Sequence, residues 1–550
     1  MDRTPWRIIL LIVLVAAATL PLVASPREMT TADRLAILYS PQFNFTREGE
    51  PLIHVGVLDG VSSVEFSSDG PLKVLPLGDD GPELLVDGRR KLTMEIEDGQ
   101  AGRYRHWVVV ERVPYGQRAQ MERAVDGWVQ RGYLLTPHEV GGLFAVGGRR
   151  FDSRVVLLGV GGFPERADAL ELADRLSDRF GIETEQHVEL LEHSSGTLRL
   201  SGIGGELIHK DVIWISGQAP DQTFSVKTPK GERRFKGGLV FTVDHAGMLS
   251  VVNAVPAEAL VKGVVPSEVY TSAPMESLKA QAIAARGEVL SYLGVRHLAD
   301  PFLICSDVHC QVYSGLSNEN PRTNEAVEQT RGEVMFEGAS LSGDWRIVDA
   351  RYSSSCGGHT EHNDLVWGGH AEPYLRGRLD LDKGSGEFDQ GVNDRNIDRW
   401  LNANVKSWCN TASFGGKNTF RWKRSIDVGD LEEHLDHHKH IGRIKNVEIL
   451  ERGVSGRVTR MRFVGESDQL ELNRELAIRR AFGGLRSSMF SMEIERDSKG
   501  YPRRFDFVGG GFGHGSGMCQ TGAMMMGQAG KPYDAILSHY YKDIRLQRLY

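Results

Sequence analysis

Apolar and polar positions alternate in short runs from Leu52 to Val110, as in Ile53-His54-Val55-Gly56-Val57-Leu58 and Leu84-Leu85-Val86, with Asp-Gly and Ser-Asp-Gly between them. A period of two broken by such turns predicts β-hairpins over residues 45–103. Around Arg105 the pattern becomes a repeat. Its first copy reads strand Trp107–Val113, turn Pro114-Tyr115-Gly116, helix Gln117–Arg131 and, after Gly132, an extended stretch. The second reads strand Val155–Val160, turn Gly161–Pro164, helix Glu165–Phe180, Gly181 and strand Ile182–Glu189. The result is β-α-β twice, at a period of about 48 residues. In the second helix Ala169, Leu172, Ala173, Leu176 and Phe180 recur at steps of three and four, which turns them toward a sheet. Glycine-rich β-type segments follow Ser194 up to Val265, and then one strong helix pattern begins at Pro274, a residue suited to a first turn, and continues through Ala-rich sequence to Arg286. Asp380–Arg424 reads as a loop-rich insertion, and Ala523 to Leu537 as a helix.

The repeat predicts a ferredoxin-like split unit over 104–192, and the whole an α+β chain with a mixed α/β domain over 200–550. With 550 residues there is length for about two to four domains, each with its own core, so no metal or disulfide staple is required in advance. A formal charge of −8 with no basic tract to offset it argues against a nucleic-acid binder. Arg3 and Arg7 precede an apolar run from Ile8 to Val23, the order of a signal sequence. That run is about 16 residues, short of the roughly 20 that cross a bilayer. A signal over 1–25 is therefore favoured over a retained anchor. Either one exports the body, so an extracytoplasmic location is expected, with membrane contact only through this segment.

The cysteines are Cys305, Cys310, Cys356, Cys409 and Cys519. An odd count in an exported chain suits a low-disulfide fold or a metal site better than a disulfide framework. Cys305 and Cys310, with His309 between them and Cys356 and His359 downstream, supply soft ligands suited to zinc; the spacing of the first pair equally allows a local disulfide or buried thiols. His434, His437, His438 and His440 lack the Glu that a metalloprotease helix needs, so a solvated charged helix is expected there. Gly509–Gly517 has no Gly-Lys-Ser/Thr ending, which excludes a phosphate loop. Its glycines let backbone approach a ligand or another strand closely.

Val264-Val265-Pro266-Ser267-Glu268-Val269-Tyr270, followed by Pro274-Met275-Glu276-Ser277-Leu278-Lys279-Ala280-Gln281 and on to Arg286, resembles the defining segment of the stage II sporulation protein D family, which includes peptidoglycan lytic transglycosylases and amidase enhancers. Further matches are Phe235-Lys236-Gly237, Val252-Asn253-Ala254-Val255, Cys305 to Tyr313, Ala326 to Gly332, Tyr352 to Thr360, Ser455-Gly456-Arg457 and Gly513 to Ala523. By topology alone, residues 104–192 resemble the SPOR repeat, whose family binds peptidoglycan strands stripped of peptides.

The resemblance implies a catalytic domain with a substrate groove in which Glu268 is the acid/base, with Lys279, Arg286 and Ser354 around it. It implies substrate contacts from Ser353, Ser355, Gln311, Tyr313, His514 and Gln520, with bracing of the groove the equal alternative for His514. It permits zinc on Cys305, His309 and Cys310 without requiring any cofactor. The expected partners are glycan strands and a cell-wall amidase, and the rival readings are a non-catalytic amidase enhancer and a structural cell-wall-binding protein. One carboxyl group suffices for a lytic transglycosylase: it protonates the glycosidic oxygen and then takes the proton of the C6 hydroxyl, giving a 1,6-anhydro end. Adjacent cations would lower the pKa of such an acid. The expectation is therefore that Arg286, with Lys279, instead holds a lactyl carboxylate of the glycan. The competing reading of Glu268 is a helix-start carboxylate stabilised by the helix dipole.

Overall fold

The computed structural model describes residues 31–40, 44–46, 48–75, 84–146, 149–180, 182, 184–292, 294–307, 309–337, 345–382, 384, 386–411, 413–414, 419–436 and 439–550. The expected export segment, together with His437 and His438, lies outside them. No helix among the described residues is long and apolar enough to cross a membrane.

Two sheets pack against each other. One is eight-stranded: Asn44–Phe45, Pro51–Val61, Leu249–Pro256, Gly238–Val243, Val212–Gly217, Leu72–Val74 and Leu84–Val86 in spatial order, with Ile304–Cys305 added parallel to Pro51–Val61. The other runs Glu206–Lys210, Ser195–Ser201, Leu92–Gln100, Ser63–Ser68, Phe224–Thr228 and Gly231–Phe235. Their inner faces share one core, in which Val55, Phe66, Leu92, Leu198, Phe224 and Phe241 meet. The β-rich stretch 45–103 is thus not a separate unit: its strands pair with those of 195–256. Alternation reveals which face of a strand is buried but not which strand lies beside it.

Residues 103–192 leave and rejoin this sandwich as a four-stranded antiparallel sheet in the order Glu185–Glu192, Arg103–Pro114, Val155–Phe163, Thr136–Val140. Each helix, Arg118–Gln130 and Arg166–Phe180, connects two strands that have a third between them. Ala169, Leu172, Ala173 and Leu176 are buried with Trp128 and Val108, and Phe180 packs at their margin. A hairpin that the repeat did not predict, Leu143–Val146 with Arg149–Asp152, anchors the unit to the rest of the chain. Phe144 stacks on Phe151, and Phe151 on Phe336, each at 5.4 Å.

Helices Ala257–Glu268 and Met275–Ser291 follow the sandwich. The second is buried on nearly every side, consistent with its Ala-rich sequence. The C-terminal segment returns to it: Ile544–Arg548 pairs with Glu333–Glu337. The expected helix from Ala523 to Leu537 is two helices, Gln520–Gln528 and Tyr533–Tyr540, because Gly530 takes φ +80° and Pro532 cannot continue the first. Between these parts, residues 419–510 have a core of their own. Sheets Arg421–Asp427/Pro502–Gly510/Phe490–Arg496 and Ile444–Arg452/Val458–Gly465/Gln469–Asn473 pack there with helices Val428–Asp436 and Glu475–Ala481. In Val428–Asp436 the buried residues are Leu431 and Leu435, and His434 is exposed.

Candidate active site

Glu268 is the last residue of its helix, not the residue before a helix. Leu260, Val261, Val264 and Val265 bury one face of Ala257–Glu268, and Val269 turns extended at φ −136°, ψ 160°. The carboxyl therefore sits at the negative end of the helix dipole, which opposes its ionisation. The structure corrects the helix-start reading on this point. Burial first, and then the charge of Glu288, push Glu268 up to about 7 against a backbone hydrogen bond from Val312. Among the described residues no cation counters them.

The reason lies in the next helix. Gln281, Ala285 and Glu288 form its face toward the site: Gln281 Oε1 accepts from Gln520 Nε2 at 3.4 Å, and that amide also donates to the Glu268 carbonyl at 3.1 Å. Lys279 and Arg286 do share a face, as their spacing requires, but at 100° per residue that face is about 140–160° away from Gln281. Lys279 pairs with Glu276 at 2.8 Å and lies over Tyr533. Arg286 has no surface at all. Its Nε and Nη2 donate to the two oxygens of Glu258 at 2.8 and 2.7 Å, and Nη1 donates to the Glu333 carbonyl. Glu258 also accepts from Gly332 N–H and Tyr550 O–H. The expected lactyl-carboxylate contact of Arg286 is thereby corrected: its fork is fully used inside the protein.

Two further expected contacts are interior. Tyr313 is buried and donates to Asn253 Oδ1 at 2.9 Å. Gln311 donates to the Ala285 carbonyl and to Glu288 Oε2, at 3.1 and 2.8 Å. With Tyr292 O–H on its other oxygen and Arg351 at 3.6 Å, Gln311 fixes Glu288 below Glu268. Both were expected at the surface because the hydrogen-bonding capacity of Gln and Tyr is legible in sequence and its direction is not. Glu288 and Tyr352, whose hydroxyl feels the charge of Glu268, were missed. The sequence signal of Tyr352 was its place at the head of the matched run Tyr352 to Thr360, and that of Glu288 was position alone, seven residues after Gln281.

The opposite wall is the pairing of Tyr352–Ser353 with Met518–Cys519. Ser353 and Ser355 are buried, while Ser354 reaches the surface and its carbonyl accepts from Thr521 N–H and Oγ1. Phe512 and Ser355 exchange both backbone hydrogen bonds, at 2.8 and 3.0 Å. Gly513 takes φ +99°, and a Cβ on it would lie 3.0 Å from that of Ser353. These glycines serve close approach, leaving Phe512 exposed on the surface, as Tyr270 is beside Glu268. His514 braces this wall: Nε2 donates to the Tyr352 carbonyl at 2.9 Å and Nδ1 accepts from Ser516 N–H at 3.1 Å. Burial and the cations Arg351 and Arg457 push it down to about 3, so it is neutral. A cleft of about 1660 Å³ runs between the four-stranded unit and this domain, with His106, Arg112 and His187 on one side and Arg351 and Trp367 on the other.

Cys305, His309 and Cys310 are brought together, and His297 joins them. Its Nε2 is 3.2 Å from Cys310 Sγ, and the four ligand atoms lie within 4.8 Å of one another. Asp300 Oδ2 accepts from His297 Nδ1 at 2.7 Å, the outer-shell contact that aims the other nitrogen at a metal. Two thiols and two imidazoles so placed fit zinc. Cys356 belongs elsewhere, and His359 bonds the Thr360 carbonyl in neither group. All five cysteines are free.

The fold and site define a mixed α+β protein whose centre is one acid held near neutrality on a helix end. Residues 245–336 match the family model described as Stage II sporulation protein, and residues 361–517 match one described as Domain of unknown function (DUF8618). An uncharacterized protein of Brachyspira hyodysenteriae (strain ATCC 49526 / WA1) is 28% identical over 56% of this chain and 71% of its own length. The Amidase enhancer of Bacillus subtilis (strain 168) is 28% identical over 52% of this chain, though the match spans only 40% of that protein. Stage II sporulation protein D of the same organism is 25% identical over 58% of this chain and 82% of its own length. The matched domain and these relatives support placing the chain with the stage II sporulation protein D and amidase-enhancer proteins, to which it is similar.

Proposed function

We propose that this chain is an extracytoplasmic peptidoglycan lytic transglycosylase acting on glycan strands between N-acetylmuramic acid and N-acetylglucosamine. The observation that carries this reading is Glu268: a carboxyl raised to about 7 is protonated in a useful fraction at neutral pH and is still basic enough to take a proton back. It would protonate the glycosidic oxygen and then accept the proton of the C6 hydroxyl, closing the 1,6-anhydro ring. Glu288 does not supply the second carboxylate of a hydrolase. It is buried and held by Tyr292, Gln311 and Arg351, where it tunes Glu268. Phe512 and Tyr270 offer exposed rings for sugar faces, with Ser354 and Gln520 on the same wall.

Zinc on His297, Cys305, His309 and Cys310 would fix the loop leading into Gln311 and Tyr313; the protein's own groups carry the proton transfers. The antiparallel β-α-β-β-α-β order of residues 103–192 supports reading that unit as a SPOR-like glycan binder, and two binding surfaces on one polymer raise effective concentration. The name of the Bacillus subtilis Amidase enhancer favours a second reading, in which the chain assists a cell-wall amidase without cutting. Incubating wild type and Glu268→Gln with amidase-stripped sacculi distinguishes the two. The proposal expects both to bind and only wild type to release soluble glycan; binding by both with release by neither supports the second reading and overturns the first.

A further inference from the structure

Three cysteines outside the zinc-type group converge on one carboxylate. Cys356, Asp380, Cys409 and Cys519 are completely buried, and their ligand atoms all lie within 4.8 Å of one another. Cys356 Sγ is 3.5 Å from Cys409 Sγ and 3.3 Å from Asp380 Oδ2. A tetrahedral zinc with Zn–S of about 2.3 Å and Zn–O of about 2.0–2.2 Å has ligand–ligand edges of about 3.4–3.8 Å. The two separations lie within about 0.3 Å of such edges. From this geometry we propose that Cys356, Asp380, Cys409 and Cys519 form a second, structural zinc site, independent of the catalytic reading above.

The surroundings are those of a ligand set. Asp380 Oδ1 accepts from Tyr540 O–H at 2.9 Å and bonds His539 Nε2 at 3.1 Å, which turns Oδ2 to the sulfurs, where Ser407 Oγ also reaches it at 3.3 Å. Cys519 Sγ accepts two backbone N–H groups, from Cys356 at 3.2 Å and Gly522 at 3.4 Å, and Ser407 Oγ lies 3.2 Å from Cys409 Sγ. Arg421 spends its guanidinium on the carbonyls of Gly357, Trp400, Leu401 and Phe420. No carboxylate pairs with it among the described residues. Three thiolates and one carboxylate leave two negative charges on a zinc complex, and Arg421 offsets one of them. The thiol protons pass to solvent as the metal enters.

Position gives the site its purpose. Cys356 precedes the 361–517 module and Cys519 follows it, while Asp380 and Cys409 lie inside. One ion would therefore join both ends of that module to its own interior. Cys519 caps the helix that begins at Gln520, whose side chain holds the carbonyl of Glu268. The site thus braces the wall opposite the acid without touching the reaction.

The test is zinc content per chain of the full-length protein expressed with zinc, measured by plasma mass spectrometry in a Cys305→Ser/Cys310→Ser variant. The proposal expects one zinc to remain, to be lost on adding Cys409→Ser, and to be replaceable by cobalt with a thiolate-to-cobalt charge-transfer band. A folded Cys305→Ser/Cys310→Ser variant that holds no zinc overturns it. So does a peptide map showing a Cys356–Cys409 disulfide, with the chain lighter by two hydrogens. If that variant does not fold, cobalt titration of wild type decides. A second equivalent with a thiolate spectrum, absent in Cys409→Ser, supports the site, and saturation at one equivalent overturns it.

Discussion

Replacing Glu288 by Gln asks why Glu268 holds a proton near neutrality. Glu268 rises from an ordinary 4.5 to about 7, with burial the larger cause and the Glu288 charge the next. That rise of about 2.5 pH units is worth about 3.4 kcal/mol. Glu288 is the smaller of the two raising causes and the Val312 hydrogen bond opposes both, so Glu288→Gln should lower the midpoint without returning it to the ordinary value, by about 1 pH unit. The substitution keeps the shape and an oxygen for Tyr292, but its amide nitrogen replaces the oxygen that accepts from Gln311 Nε2, so Tm is measured alongside to separate the lost charge from the lost hydrogen bond. Difference infrared spectra against Glu268→Gln isolate the carboxyl band, which is followed from acid to alkaline pH. Two interacting carboxyls titrate in two macroscopic steps in wild type and one in the variant. The acid must be protonated to act, so kcat/KM falls as pH rises through the midpoint. That alkaline limb should shift to lower pH in Glu288→Gln. A wild-type midpoint in the ordinary carboxylate range, or a limb that does not move, refutes the reasoning.

Because the folded value of Glu268 is raised, its contribution to stability is fully present below about 4.5 and is lost as pH rises through about 7. Glu268→Gln should therefore raise Tm relative to wild type at pH 8 by clearly more than at pH 5, and equal differences at the two pH values would contradict the burial argument. Arg286→Ala strands the buried Glu258 carboxylate and should cost about 3–5 kcal/mol, read as a large fall in Tm. A normal Tm with selective loss on peptide-free strands would return Arg286 to the substrate. Phe512→Ala removes an exposed ring from the wall facing Glu268; a stacking contribution of about 1 kcal/mol corresponds to roughly fivefold weaker glycan binding. Unchanged affinity in co-sedimentation would remove Phe512 from the groove.

Local pattern carried much of the fold. The three-and-four spacing of Ala169, Leu172, Ala173 and Leu176 marks a face that is buried, since helical period and burial are both local properties. The interleaving of strands 45–103 with 195–256 was not legible, because pairing across more than a hundred residues leaves no periodic trace. At the site the residue types were legible and their directions were not. Lys279 and Arg286 share a face as read, but only the packing of their helix shows that this face points away from Glu268. His297 escaped notice because it precedes Cys305 across a loop, where spacing has no rule. Cys356 reads as a companion of Cys305 and Cys310, since its meeting with Cys409 and Cys519 comes only through the fold.

The central claim is that Glu268 cuts glycan by transferring a proton out of and back into one carboxyl group. Its most direct measurement is the mass spectrum of chain ends after purified wild type and Glu268→Gln act on amidase-stripped glycan strands. The account predicts 1,6-anhydro-N-acetylmuramic ends from wild type and none from Glu268→Gln. Ends lighter by no water, as hydrolysis gives, or equal anhydro yield from both proteins, would contradict it.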